Sequence, residues 1–171
     1  TISIPSGMNV GTLLVSDNEL KLLDVLSPSS LVKLDVSFNP GFSVESLADC
    51  TNLRQLNISN CKLKDLPVNF FERYPKLQSL ECSFNPDLNI ALAPLASLTM
   101  ISMSFCGLKK VPKGVMECTN LQHLDLSYNK LGSLPDNDGK LPSLRTLLVN
   151  NNSLKSKSLG IITRLTTLKY I

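Results

Sequence analysis

The chain has 171 residues, 43% of them hydrophobic and 18% charged, with a formal net charge of +3. That supplies enough apolar material for one sizeable core in a single domain. No apolar run approaches the roughly 18 residues of a membrane-spanning helix, and no charged segment leading into an apolar stretch marks a secretory leader.

The first element is a short strand in the phrase Val10-Leu13-Val15-Asn18: apolar residues at positions 1, 4 and 6, then Asn at position 9. The phrase recurs as Leu31-Leu34-Val36-Asn39, Leu53-Leu56-Ile58-Cys61 and Leu77-Leu80-Cys82-Asn85. It continues as Leu98-Ile101-Met103-Cys106, Leu121-Leu124-Leu126-Asn129 and Leu144-Leu147-Val149-Asn152, and an eighth copy begins at Leu168 and Ile171. First positions are separated by 21, 22, 24, 21, 23, 23 and 24 residues, a repeat period that dictates architecture before any single residue is weighed. Positions 4 and 6 point to one side of an extended chain, so each unit contributes a strand that cannot bury its apolar face alone. Copies stacked in the same sense bury it, giving a parallel sheet along a continuous core. The Asn at position 9 stands where the chain leaves the strand, and its amide can satisfy backbone groups that the turn would otherwise bury unpaired. Cys61 and Cys106 occupy the same slot with a weaker thiol.

Between strands, Leu66-Pro67, Val111-Pro112 and Leu134-Pro135 repeat a phrase that follows Leu63, Leu108 and Leu131. Proline fixes φ and lacks an amide donor, so these returns are predicted to be irregular or short helices, with no second central strand. Strands spaced at roughly 4.8 Å against thicker returns make the stack curve with its sheet inside. Two units depart from the phrase: Asn39-Pro40-Gly41-Phe42 and Asn85-Pro86-Asp87-Leu88 place Pro directly after the ladder Asn, and they alternate with the Cys-ladder units. The alternation suggests duplication of a two-repeat unit. At the ends, Ile4-Pro5 reads as the tail of an earlier unit and the chain stops inside the eighth, so residues 1–171 are expected to be a single repeat domain belonging to a longer protein.

These seven registered phrases resemble the leucine-rich repeat family over nearly the whole chain. The resemblance implies an α/β solenoid: a right-handed horseshoe arc with a parallel sheet on its concave side and irregular or short helical convex returns. It also implies a non-catalytic module that binds a protein on the concave face. The Leu-Pro returns are similar to those of intracellular scaffold members, though three short phrases carry no partner identity.

Cysteine usage points to a reducing compartment. Cys82 takes a core strand position, Cys61 and Cys106 ladder slots, and Cys50 and Cys118 stand in matching phrases just before a strand, so all five have a packing role. An odd number without a terminal cluster is unlike the disulfide caps of secreted domains. A cytoplasmic or nuclear location is therefore favoured. Asn57-Ile58-Ser59 and Asn151-Asn152-Ser153 match the glycosylation sequon, a motif short enough to arise by chance.

Charge is uneven: residues 1–60 hold three basic and six acidic groups, residues 61–171 fourteen and eight. Much of the excess follows the ladder, at Lys62, Lys64, Lys109, Lys110, Lys130, Lys155 and Lys157. The plain reading is a solvated flank; the sharper one is a docking stripe for an acidic protein or an anionic membrane surface. Nucleic acid is disfavoured, because the set lacks the arginines and interleaved aromatics that base stacking needs.

The register predicts which residues face the open side of the sheet. Asp35, Asn57, Glu81, Ser102 and Asp125 fall at mid-strand, with Arg54, His123 and Arg145 earlier in their strands. Phe38, Phe84, Phe105 and Tyr128 share the position before the ladder and form a predicted aromatic row at the exit edge. Aromatics are favoured interface anchors, although at this position they also pack on the neighbouring turn. The acidic line either complements a basic partner or keeps sheet faces from sticking together. A recurrent serine two residues before the ladder is read as a turn residue, because a catalytic serine needs a base within reach and His123 is the only histidine. No phosphate loop and no metal-ligand spacing is present in the sequence, so no cofactor or metal is expected. An extracellular receptor-type ectodomain, a regulatory segment of a larger signalling enzyme, and electrostatic attachment to a membrane are the competing readings.

Overall fold

A computed structural model describes residues 1–25, 28–136 and 140–171. Among the described residues, nine three-residue strands occur in this order: β1 Ile2–Ile4, β2 Thr12–Leu14, β3 Leu23–Val25, β4 Lys33–Asp35, β5 Gln55–Asn57, β6 Ser79–Glu81, β7 Met100–Ser102, β8 His123–Asp125 and β9 Thr146–Leu148. Seven of them, β2-β4-β5-β6-β7-β8-β9, form one parallel sheet. Its register places Leu13, Leu34, Leu56, Leu80, Ile101, Leu124 and Leu147 side by side. The molecule is the parallel solenoid that the repeat demands. Tyr170 forms an isolated parallel bridge with Thr146, so the partial eighth unit follows the same register.

In the five inner strands, β4 to β8, the second apolar position is sealed with the first, whereas Leu13, Val15 and Val149 at the ends are half-buried. Val36, Ile58, Cys82, Met103 and Leu126 have no measurable exposure. From the return side, Phe42, Val44, Leu47, Phe70, Phe71, Leu88, Leu92 and Val115 close the core. Tyr74 is fully buried as well, its hydroxyl donating to the Leu47 carbonyl at 2.8 Å and its ring edge-on to Phe70 at 4.9 Å. The returns are short helical turns at 28–30, 44–47 and 115–117, with α1 at Phe70–Arg73 and α2 at Ser156–Ile162.

One return departs from expectation. β1 and β3 form a separate two-stranded parallel sheet, pairing Ile2 with Leu23 and Ile4 with Val25. The first full return carries no proline at 23–25 and alternates Leu23-Asp24-Val25, a pattern suited to a strand. Ile4 thus occupies the place in its own return that Val25 holds in the next.

Candidate functional site

The ladder sets the geometry of the working surface. Asn85 Nδ2 donates to the carbonyls of Cys82 at 2.9 Å and Ser83 at 3.2 Å in its own turn, and to Ile58 in the preceding unit at 3.1 Å. Its Oδ1 accepts from Cys61 N at 3.1 Å and Leu63 N at 3.0 Å. Asn129 repeats all five bonds on Met103, Leu126, Ser127, Cys106 and Leu108. Cys61 and Cys106 reproduce only the donor half: Cys106 Sγ reaches the carbonyls of Cys82 at 3.3 Å and Ser104 at 3.4 Å. The alternation with Asn-Pro units has a physical logic here. In the unit before Cys61, the position that Leu63 holds in the next unit is Gly41, and its N–H donates to the Cys61 backbone carbonyl at 2.8 Å instead of to a side chain. A thiol is tolerated where a backbone carbonyl takes over part of the acceptor's duty.

The turn places the residue before the ladder in the left-handed region in every unit. Asp17, Phe38, Asn60, Phe84, Phe105, Tyr128 and Asn151 have φ between 51° and 59°. Asn and Asp bear this conformation at low cost, whereas a bulky aromatic is a genuine outlier. The four aromatics are nevertheless exposed at 39–47%. Phe84 stacks on Phe105 with centroids 4.6 Å apart, and Phe105 on Tyr128 at 4.2 Å, with rings within 11° of parallel. Such contacts return roughly 0.5–1.5 kcal/mol per pair, offsetting part of the backbone cost. Phe38 stands apart, because Asn60 occupies the intervening unit. The aromatic row expected from sequence is therefore a continuous three-ring stack with one separated ring.

Asp35, Asn57, Glu81, Ser102 and Asp125, expected at mid-strand, are the last residues of β4 to β8, where they share the open face, all half-buried. Part of this line has a local duty that sequence reasoning missed. Asp35 Oδ1 accepts from Ser37 N at 2.9 Å and Ser37 Oγ at 2.6 Å, and Asp125 Oδ1 holds Ser127 in the same way. Asn57 Oδ1 accepts from Ser59 N at 3.0 Å, and Ser102 Oγ pairs with Ser83 Oγ at 2.9 Å. The serine row accordingly bonds back to the strand as well as around the turn. Only Glu81 lacks a hydrogen bond of this kind among the described residues. Burial, reinforced by the Asp35 charge and opposed by Lys33, raises its carboxyl above the ordinary value. Arg54 and Arg145 lie exposed at the leading edge of the sheet, and His123 Nδ1 lies 3.1 Å from Thr146 Oγ1. An open depression of about 380 Å³ on this face adds Met100, Thr146 and Leu148 to Ser102, His123 and Asp125.

The basic flank divides into parts. Lys62, Lys64, Lys109, Lys110, Lys130, Lys155 and Lys157 are all exposed. Lys109 and Lys110 join Lys113, a residue the ladder offset did not single out, along an open groove of about 640 Å³ between the loops at 86–90 and 106–113. Lys157 falls within α2. All five thiols are free and buried. Desolvation raises every one of them, Cys50 to about 11. Of the two sequons, Asn57 lies in β5 with Ser59 buried behind it, while Asn151 is exposed at the exit edge. Among the described residues no cluster of three or more His, Cys, Asp or Glu side chains could hold a metal ion, and no helix is long and apolar enough to cross a membrane.

Comparison with known proteins agrees with this architecture. Leucine rich repeat family profiles match residues 52–73 and 96–154. A leucine-rich repeat protein of Leptospira interrogans superposes with a TM-score of 0.70 at 21% identity, covering 99% of this chain and 51% of that one. The chain belongs to the leucine-rich repeat family. In sequence it is similar to an adenylate cyclase of Podospora anserina, 36% identical over 128 residues, which is 74% of this chain and 5% of the cyclase. It is also similar to the platelet glycoprotein Ib alpha chain of Mus musculus, 32% identical over 126 residues, 74% of this chain and 17% of the glycoprotein. The chain thus spans a small fraction of the relatives it matches.

Proposed function

We propose that the chain is a non-catalytic protein-interaction module that engages a protein partner through its concave sheet and the adjoining exit edge. The observation that carries this is a seven-stranded parallel sheet covered on one side only. Parallel sheets are ordinarily covered on both faces. Here the strand interiors are sealed into the core while Lys33, Gln55 and His123 lie open on the other face. The mechanism is preorganisation: the turn bonds and stacked leucines fix Arg54, Glu81, Asp125 and the aromatic rings before contact, so a partner loses less entropy on docking. The five buried thiols support a reducing compartment, cytoplasmic or nuclear.

Affinity capture from native lysate with wild type and with Phe84→Ala/Phe105→Ala tests this reading. A partner retained by wild type and lost with the double variant is expected, the variant still unfolding cooperatively with only the modest loss that its two ring stacks set. Retention by both overturns the exit-edge part, and retention despite Arg54→Ala/Arg145→Ala as well overturns the concave part. The similarity to a cyclase favours a second reading, in which the array is the docking segment of a larger signalling enzyme. Co-purification of a catalytic domain on the same polypeptide is the result expected for it.

A further inference from the structure

Phe105 is covered on both ring faces, by Phe84 at 4.6 Å and Tyr128 at 4.2 Å, yet 39% of the residue remains exposed. The ring's share of that exposure is therefore its edge, and the same stack orients Phe84 and Tyr128 in parallel. Ring edges carry the positive end of the aromatic quadrupole, so this exposed apolar surface is electrostatically suited to oxygen acceptors and unsuited to cations.

The groove beside it has the same preference. Cys106 and Gly107, which follow Phe105 directly, are part of the groove's lining, and Lys109, Lys110 and Lys113 line it with a single carboxylate, Asp87. None of these lysines forms an ion pair among the described residues, where the one salt bridge joins Arg164 to Asp136. Gly107 is what brings the two loops together: its φ is +67°, and a Cβ there would lie 2.5 Å from the Pro86 carbonyl oxygen. The cleft is thus built into the backbone.

We infer that the exit edge of this solenoid, from the Phe84–Phe105–Tyr128 stack into the groove lined by Lys109, Lys110 and Lys113, seats an acidic linear segment of a protein partner. Two features that arise from different residues, ring edges and unpaired ammonium groups, select the same sign of charge. The inference rests on the interaction-module reading and narrows it to a partner chemistry and an edge. An extended segment suits the groove, because its backbone carbonyls can meet the ring edges while its carboxylates meet the lysines.

The test measures binding of the purified chain to immobilised 12-residue peptides of three compositions: Asp/Glu-rich with one aromatic, Lys/Arg-rich with one aromatic, and Ser/Gly-rich with one aromatic. Capture of the acidic class alone is expected, weakening as salt rises. Lys109→Glu/Lys110→Glu and, separately, Phe105→Ala should each lower affinity roughly tenfold or more. Lys76→Glu/Lys169→Glu, which makes the same change in net charge at the leading edge, should leave affinity within about twofold if the groove and not overall charge is responsible. Equal loss with the leading-edge variant, or capture of basic or neutral peptides in preference, overturns the inference. So does binding to vesicles of phosphatidylserine and phosphatidylcholine without capture of the acidic peptides. A partner that is retained by wild type, lost with Arg54→Ala/Arg145→Ala and indifferent to Lys109→Glu/Lys110→Glu would sink this inference while leaving the interaction-module reading intact.

Discussion

Replacing Asn85 with alanine removes all five of its hydrogen bonds while opening little space, so it isolates the ladder from the core. The Ser83 carbonyl keeps a bond from Asn60 N at 2.9 Å, and the Cys82 carbonyl keeps the Cys106 thiol at 3.3 Å. The N–H groups of Cys61 and Leu63 and the Ile58 carbonyl have no other partner among the described residues. Each buried orphan costs about 1–3 kcal/mol. Three of them, softened by relaxation and water entering the turn, set an expected loss of about 3–5 kcal/mol. Asn85→Cys keeps the donor and loses the acceptor, so it should fall between the two. Urea unfolding followed by circular dichroism measures both, with the slope against denaturant compared to confirm that the same cooperative unit melts. A loss below about 1 kcal/mol for Asn85→Ala, or no difference between Cys and Ala, would refute the assignment of the ladder as the acceptor for the preceding turn.

Further expectations follow from the same structure. Leu124→Ala should cost roughly 2–5 kcal/mol in the same unfolding assay, because Leu124 is nearly fully buried. Phe38→Ala should affect thermal stability less than Phe105→Ala, since Phe38 stacks on no other ring among the described residues, and differential scanning calorimetry compares them. The raised Glu81 carboxyl makes its charged form the less favourable one in the fold. Its contribution to stability is therefore fully present below the unfolded-state value and is lost as pH rises through the folded value. Glu81→Gln should flatten that decline in melting temperature between acid and neutral pH. The five thiols should resist a disulfide exchange reagent at pH 8 in the native state and react promptly in denaturant, since burial raises all of them and only thiolate attacks.

Much of the fold was legible because the phrase of each unit is physically overdetermined. Positions 4 and 6 can only be core, and position 9 must answer a turn, so Leu56, Leu80 and Asn85 reveal their places by spacing alone. The β1–β3 pair was not legible, since the absence of a proline at 23–25 permits a strand without demanding one. At the candidate site, spacing identified which residues share a row but not what they bond to. Asp35 and Asp125 looked like free carboxylates, and their bonds to Ser37 and Ser127 depend on a side chain turning back along its own strand. The three-ring stack required knowing that the turn is left-handed at every unit, which aims the rings along the array. Lys113 escaped because it belongs to the return and not to the ladder, and only the closeness of the loops at Gly107 brings it beside Lys109 and Lys110.

The central claim is that the open sheet and its exit edge form the contact surface. Hydroxyl-radical footprinting of the chain alone and bound to its captured partner tests it residue by residue. Protection of Phe84, Phe105, Tyr128, His123 and Met100, with Val68, Met116 and Leu154 on the returns unchanged, is the predicted pattern. Protection confined to those return residues, with the rings as reactive in the complex as before, would contradict the account.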